Sequence, residues 1–169
     1  MELLLIRHAI AFDRDSARWH DDGERPLSPA GIRRARQAAA GLGKLIKPPE
    51  QLLTSPLLRA RQTAEILTEV ARWPRARQAP ELSPGEAPPT LLRLLARSGG
   101  KRLAVVGHQP DLGHLLTVCL IGSGNNLAIE LKKHAVACLS FPGRIGPGRA
   151  TLKWLATPRM LRAFAPGKN

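Results

Sequence analysis

Leu3-Leu4-Leu5-Ile6-Arg7-His8 is the stretch on which the fold of this chain turns. Four apolar residues in a row, with no helical continuation, specify a short buried strand. The run then stops on a guanidinium and an imidazole. Packing asks for neither, and desolvating two polar heads at the end of a core strand costs free energy unless they are paired. Whatever offsets that cost must come from other segments ending at the same edge.

Moving outward, residues 9–27 show no period and contain the turn signal Asp21-Asp22-Gly23, so they read as a long loop that closes with Arg25-Pro26-Leu27. Long loops inside small domains are often functional. Ser28-Pro29 supplies an N-cap and a first-turn proline, and Ile32, Ala35, Ala39, Leu42 and Ile46 follow at helical spacing up to Lys47-Pro48-Pro49. A short strand is predicted over 51–54. Ser55-Pro56 repeats the cap-and-proline start, with Leu57, Ala60, Ala64, Leu67 and Ala71 on one face of a helix that ends before Pro74. Residues 74–89 read as an irregular connection, and Thr90 as the cap of a short helix stopped by Gly99-Gly100. Residues 102–107 form a third strand that runs directly into His108, and Pro110-Asp111 opens a helix carrying Leu112, Leu115, Leu116 and Cys119. Gly122 to Asn126 is expected to be a loop. Residues 134–141 and 149–156 are expected to be an antiparallel pair, and the tail with Met160, Leu161 and Phe164 a docked last turn.

Strands alternating with helices imply an α/β fold: three layers, α/β/α, with a mainly parallel sheet and an antiparallel C-terminal edge. With 169 residues and neither a repeat nor a composition break, residues 1–169 are expected to form a single domain. The formal net charge of +13 favours phosphorylated or polyanionic partners. Aromatic content of 4%, without any Tyr, argues against a base-stacking platform, so no nucleic-acid partner is expected. No apolar run approaches membrane-spanning length, and Arg7-His8 truncates the first one too early for a secretory signal. Cys119 and Cys138 both sit in apolar stretches and read as buried free thiols. A cytoplasmic protein without a membrane partner is the expectation.

In open α/β sheets the ligand crevice lies beyond the carboxyl ends of the strands. That rule gathers Arg7 and His8 from the first strand, Arg59 from the helix after the second, and His108 from the third. Two helix N-termini stand behind them. Such a cluster is built for a dianion, with phosphate the obvious candidate. Two arginines can grip phosphoryl oxygens and hold their charge through the transition state. A neutral imidazole can attack phosphorus and form a phosphohistidine that water hydrolyses. This chemistry needs no cofactor, and His108 and His114 do not have zinc-site spacing.

These residues also carry a resemblance. Leu5-Ile6-Arg7-His8-Ala9 resembles the Arg-His-Gly opening of the histidine phosphatase (phosphoglycerate mutase-like) superfamily. Ser55-Pro56-Leu57-Leu58-Arg59-Ala60-Arg61-Gln62-Thr63 is similar to its second motif, and Val106-Gly107-His108-Gln109-Pro110 to its third. Length, the segment Arg25 to Ser28 and the last two strands look most like the SixA-type phosphohistidine phosphatases. The resemblance implies a phosphoglycerate mutase-like fold. It also implies His8 as nucleophile, Arg7 and Arg59 as phosphate ligands, His108 as a second imidazole on the phosphate, and Arg25 as an outer phosphate or substrate contact. The implied partner is a histidine-phosphorylated phosphotransfer domain or phosphocarrier protein.

Two departures matter. Ala9 stands where the family usually has Gly. After the second helix, where the mutase and sugar-phosphatase branches carry a catalytic Glu in a Leu-x-Glu setting, this chain reads Glu81-Leu82-Ser83-Pro84. A phosphate ester expels an alkoxide and gains roughly 10²–10⁴-fold from a proton donor. Phosphohistidine expels an imidazole, for which a dedicated acid matters less. A small-molecule phosphatase or mutase using Glu81 or Glu86 is the alternative enzyme, and a non-catalytic polyanion binder the alternative class. His20, His114 and His134 have nothing organised around them in the sequence, and Arg33-Arg34-x-Arg36 reads as a solvated helix face.

Overall fold

The computed structural model describes residues 1–122 and 129–165. One six-stranded sheet is built from β1 (Glu2–Arg7), β2 (Gln51–Thr54), β3 (Arg77–Gln78), β4 (Arg102–Gly107), β5 (Val136–Ser140) and β6 (Thr151–Ala156), in the order β3-β2-β4-β1-β5-β6. The first four neighbours pair in parallel, whereas β5 and β6 are antiparallel. Helices α1 (Pro29–Leu45), α2 (Leu58–Ala71), α3 (Pro88–Ser98), α4 (Asp111–Ile121) and α5 (Pro158–Ala163) complete the described fold. The chain is therefore a mixed α/β protein of the expected architecture.

The continuous apolar run of β1 now has its reason. Leu4 and Ile6 pack on one side of the sheet with α1, α2 and α5. Leu3 and Leu5 pack on the other with α3 and α4. A central strand covered on both faces has no polar face to alternate with. Truncating one of these leucines to Ala would cost about 2–5 kcal/mol.

Two glycines set how closely α1 seats. A Cβ at Gly31 would lie 1.9 Å from the Ile10 carbonyl oxygen, and one at Gly41 would lie 1.8 Å from that of Leu161. The loop after β1 and helix α5 therefore rest directly on the α1 backbone. The tail is thus a capped helix rather than a single turn, with Thr157 accepting from the Met160 N–H.

Three further expectations need correction. The segment 74–89 is not wholly irregular, because Arg77–Gln78 adds a parallel edge strand to β2 and Pro80–Leu82 makes a 3-10 turn. Two residues are too few to show a period of two. Thr90 does not cap α3. That helix starts at Pro88 after Ala87, with no side-chain cap, because proline already fixes the first-turn φ. Nor does Ser55 cap α2: Leu57 holds the N-cap position without a side-chain bond. Ser55 Oγ accepts from the Leu57 N–H and is engaged elsewhere. Of the predicted loop 122–126, residues 123–126 lie outside the described residues. Gly122, at φ 84°, ends α4 in the left-handed conformation that favours glycine.

Candidate active site

Register brings the strand ends level. Arg7 pairs with Gly107, and Thr54 with Val106. One residue further on, the His8 N–H donates to the Gly107 carbonyl at 3.0 Å and the Ser55 N–H to that of Val106 at 2.9 Å. His8, Ser55 and His108 therefore leave the sheet side by side. A cavity of about 280 Å³ opens there, and Arg7, His8, Arg25, Arg59 and His108 all line it. All five residues that the sequence singled out are gathered at this one place.

His8 and His108 are both buried, with ring centroids 5.1 Å apart. His8 Nδ1 lies 2.7 Å from the Ala9 carbonyl oxygen. A carbonyl can only accept, so Nδ1 carries the hydrogen and Nε2 keeps its lone pair. Burial, reinforced by His108 and by Arg59 and Arg7, pushes the His8 pKa down to about 3 against the Ala9 hydrogen bond. With Nδ1 carrying the hydrogen, the ring is held neutral and Nε2 can accept. His108 is depressed to about 3 as well, first by burial and then by the charges of Arg59 and Arg7. Its Nε2 is occupied, 2.8 Å from Ser55 Oγ.

The arginines are fixed by groups on the rim. Arg59, in the first turn of α2, is buried; Nη1 donates to the Asp22 carbonyl at 2.7 Å and Nη2 lies 3.1 Å from the Asp22 carboxylate. Arg25 Nε donates to the same carboxylate at 2.8 Å, and its Nη1 donates to the Phe12 carbonyl. Arg7 Nη1 donates to the Leu131 carbonyl at 2.7 Å. The buried Nε groups of Arg7 and Arg59 have no partner. Leaving such donors unpaired is costly, and an anion in the cavity would satisfy them.

Sequence reasoning missed several contributors. Asp22 was read only as part of a turn, yet it holds Arg25 and Arg59 together, and the hydrogen bond to Arg25 leads the effects that lower its carboxyl pKa. Thr63 Oγ1 accepts from the Ala9 N–H at 3.0 Å and donates to the Arg59 carbonyl at 2.7 Å, tying the end of β1 to α2. Its place in the second motif was the available signal. Among the described residues Asp13 is the one carboxylate that lines the cavity. Glu81 and Glu86 do not line it; Glu81 pairs with Arg97. Asp111 accepts from the Gly85 N–H at 3.1 Å and so fixes the part of the rim beside Pro84, which does line the cavity.

Among the described residues no group of three or more His, Cys, Asp or Glu is placed to hold a metal ion. None of the described helices is long and apolar enough to cross a membrane. Both cysteines are buried free thiols whose pKa values burial pushes up, to about 12 for Cys119 and about 11 for Cys138.

Known proteins resemble this chain in sequence and in fold. The family model of the histidine phosphatase superfamily (branch 1) matches residues 3–83. An uncharacterised protein of Picosynechococcus sp. is 41% identical over 140 residues, covering 80% of this chain and 82% of its own length. The structure of the protein histidine phosphatase SixA complexed with tungstate aligns with a TM-score of 0.78 at 26% identity, covering 94% of this chain and 98% of that one. Mycobacterial glucosyl-3-phosphoglycerate phosphatase shares the fold more loosely, with a TM-score of 0.63 at 19% identity over 90% of this chain and 96% of that one. The chain belongs to the histidine phosphatase superfamily. Within that superfamily its fold is like that of the SixA structure.

Proposed function

We propose that this phosphatase removes phosphate from a phosphohistidine on a signalling or phosphotransfer protein, through a covalent intermediate on His8. One observation carries the chemistry: the Nδ1–H of His8 is committed to the Ala9 carbonyl, which leaves Nε2 free beside two arginines with unpaired donors. Nε2 attacks phosphorus as the substrate P–N bond breaks. The departing ring leaves as a neutral imidazole when its other nitrogen is protonated. His8 then carries phosphate on Nε2 and hydrogen on Nδ1, and the Ala9 carbonyl stabilises the positive ring. Water attacks the phosphorus next. The P–Nε2 bond breaks, dihydrogen phosphate departs, and His8 returns to its starting tautomer without moving a ring proton.

Arg7 and Arg59 neutralise the phosphoryl oxygens, His108 stands on the opposite side of the group, and Arg25 makes an outer contact. Support for the phosphohistidine substrate comes from the position of Glu81 and Glu86 away from the cavity, and from the likeness to the SixA complex with tungstate, a tetrahedral oxyanion. A histidine-phosphorylated carrier incubated with the protein should lose its label, and an alkali-stable, acid-labile phosphoryl group should be trapped on His8. Label retention equal to that with His8→Ala would sink the reading.

Asp13 motivates a second reading, because a carboxylate on the cavity wall could protonate an ester leaving group. Hydrolysis of small phosphate esters that falls steeply in Asp13→Asn, with phosphohistidine untouched by the wild type, would favour that alternative.

A further inference from the structure

A second recess of about 280 Å³ lies beside the first, between α1, α5 and the segment entering β5. Arg34, Lys132, Lys133, Arg159 and Arg162 line it together with His134, and no Asp or Glu does. None of those five cations makes an ion pair among the described residues. His134, expected to be an unremarked strand start, is 3% exposed, and neither of its ring nitrogens has a hydrogen-bond partner. It also holds φ 65°, a conformation that few residues with side chains adopt.

These three features share one remedy. Five like charges around one recess repel one another. A buried imidazole without a partner forfeits its hydrogen bonds. Strained backbone of this kind persists where the surroundings impose it, and it gathers at ligand clamps. An oxyanion would balance the charge and give the imidazole N–H an acceptor.

The recess is also coupled to the first cavity. The His134 N–H donates to the carbonyls of Arg7 and His8, at 3.0 and 3.1 Å. Ala9 and Ile10 form part of the second wall, and Lys133 lines both cavities. We propose that this recess is a second oxyanion site, taking a carboxylate or phosphate group that the substrate presents next to the phosphoryl group at His8. The assignment to substrate rests on the reading of the first cavity as a phosphate pocket; the anion site itself does not.

The test has two arms. Titration with inorganic phosphate, followed through the imidazole resonances, should shift the His134 signals saturably. Arg34→Ser/Arg162→Ser should weaken that transition about tenfold or more and leave the His8 and His108 transitions within about twofold. His134 signals that stay fixed while the first cavity saturates, or that shift equally in the double variant, overturn the site. Lys132→Ser, a change at an exposed residue, replaces the double variant should it fail to fold.

The second arm compares a phosphorylated carrier protein with free phosphohistidine. The double variant should raise KM for the protein about tenfold, with kcat unchanged, and leave the free amino acid unaffected. Equal KM values for the protein overturn the substrate assignment. A wild type inert towards both substrates, with the His134 shift intact, sinks the phosphohistidine reading and leaves the second site standing.

Discussion

The ends of β1 and β4 each present a buried, neutral histidine to the same cavity, and the two differ in one atom. At His8 the nitrogen nearer the backbone is tied to a carbonyl, so the distal nitrogen is free. At His108 the distal nitrogen is itself engaged, by the Ser55 hydroxyl. Burial, proximity to the arginines and depressed basicity are common to both. On the proposed mechanism, the hydrogen-bond partner rather than the pKa separates the nucleophile from its neighbour.

The largest expected effect tests that assignment directly. His8→Ala should lower turnover by at least about 10⁴-fold and abolish the trapped phosphoryl group. His108→Ala should cost about 10²–10³-fold in kcat and still allow phosphate to be trapped on His8. Should the second variant lose the trapped group and the first retain it, the two histidines have been assigned the wrong way round. Ser55→Ala removes the bond that orients His108 together with the one the hydroxyl accepts from the Leu57 N–H, and a loss of about threefold to tenfold in kcat is expected.

Acid sharpens the same comparison. Because both rings titrate near 3, kcat/KM for a stable ester should show no inflection from an enzyme histidine near pH 6.5. An inflection there that vanishes in His8→Ala would show that the nucleophile is not held neutral. Stability follows the same sign as for a paired carboxylate, because in both cases the folded-state pKa lies below the unfolded one. The folded state refuses protons that the unfolded chain accepts below its histidine pKa, so ΔG of unfolding falls as pH drops from about 6.5 toward the folded values, and is recovered above it. Each such histidine contributes a slope of up to about 1.4 kcal/mol per pH unit in that window. His134, depressed to about 4 by burial and by Arg162, is outside the first cavity and isolates the effect. His134→Asn, whose side chain tolerates the left-handed conformation, should flatten the acid limb of urea-unfolding stability by about one proton's worth.

Much of this arrangement is legible in the sequence. A four-residue apolar run ending in Arg7-His8 announces a buried strand with a polar end, and the same pattern at Val105-Val106-Gly107-His108 announces another strand ending at the same edge. Arg59 was found through its motif, because a single Arg in a helix carries no period of its own. Arg77–Gln78 was missed because pairing with β2, rather than local preference, makes it a strand. Asp22 and Ser55 were assigned to a turn and a cap, the local roles those residue types usually fill, and long-range partners claimed them instead. His134 was invisible for a different reason. Its surroundings come from α1, α5 and the approach to β5, and no spacing within one segment records that convergence.

The reversal of strand direction at β5 has a consequence for how the molecule is assembled. Glu2 pairs with Arg102 on one side and with Ser140 on the other. This buried strand therefore precedes both of its sheet neighbours by most of the chain. It must remain unpaired while the intervening helices are synthesised, and contacts of such long sequence separation form slowly. A chain interrupted before β5 leaves one edge of Leu3 to Ile6 open to foreign strands. The proposed nucleophile is thus mounted on a segment that needs protection during synthesis, and its surroundings are complete only when β4 and β5 arrive.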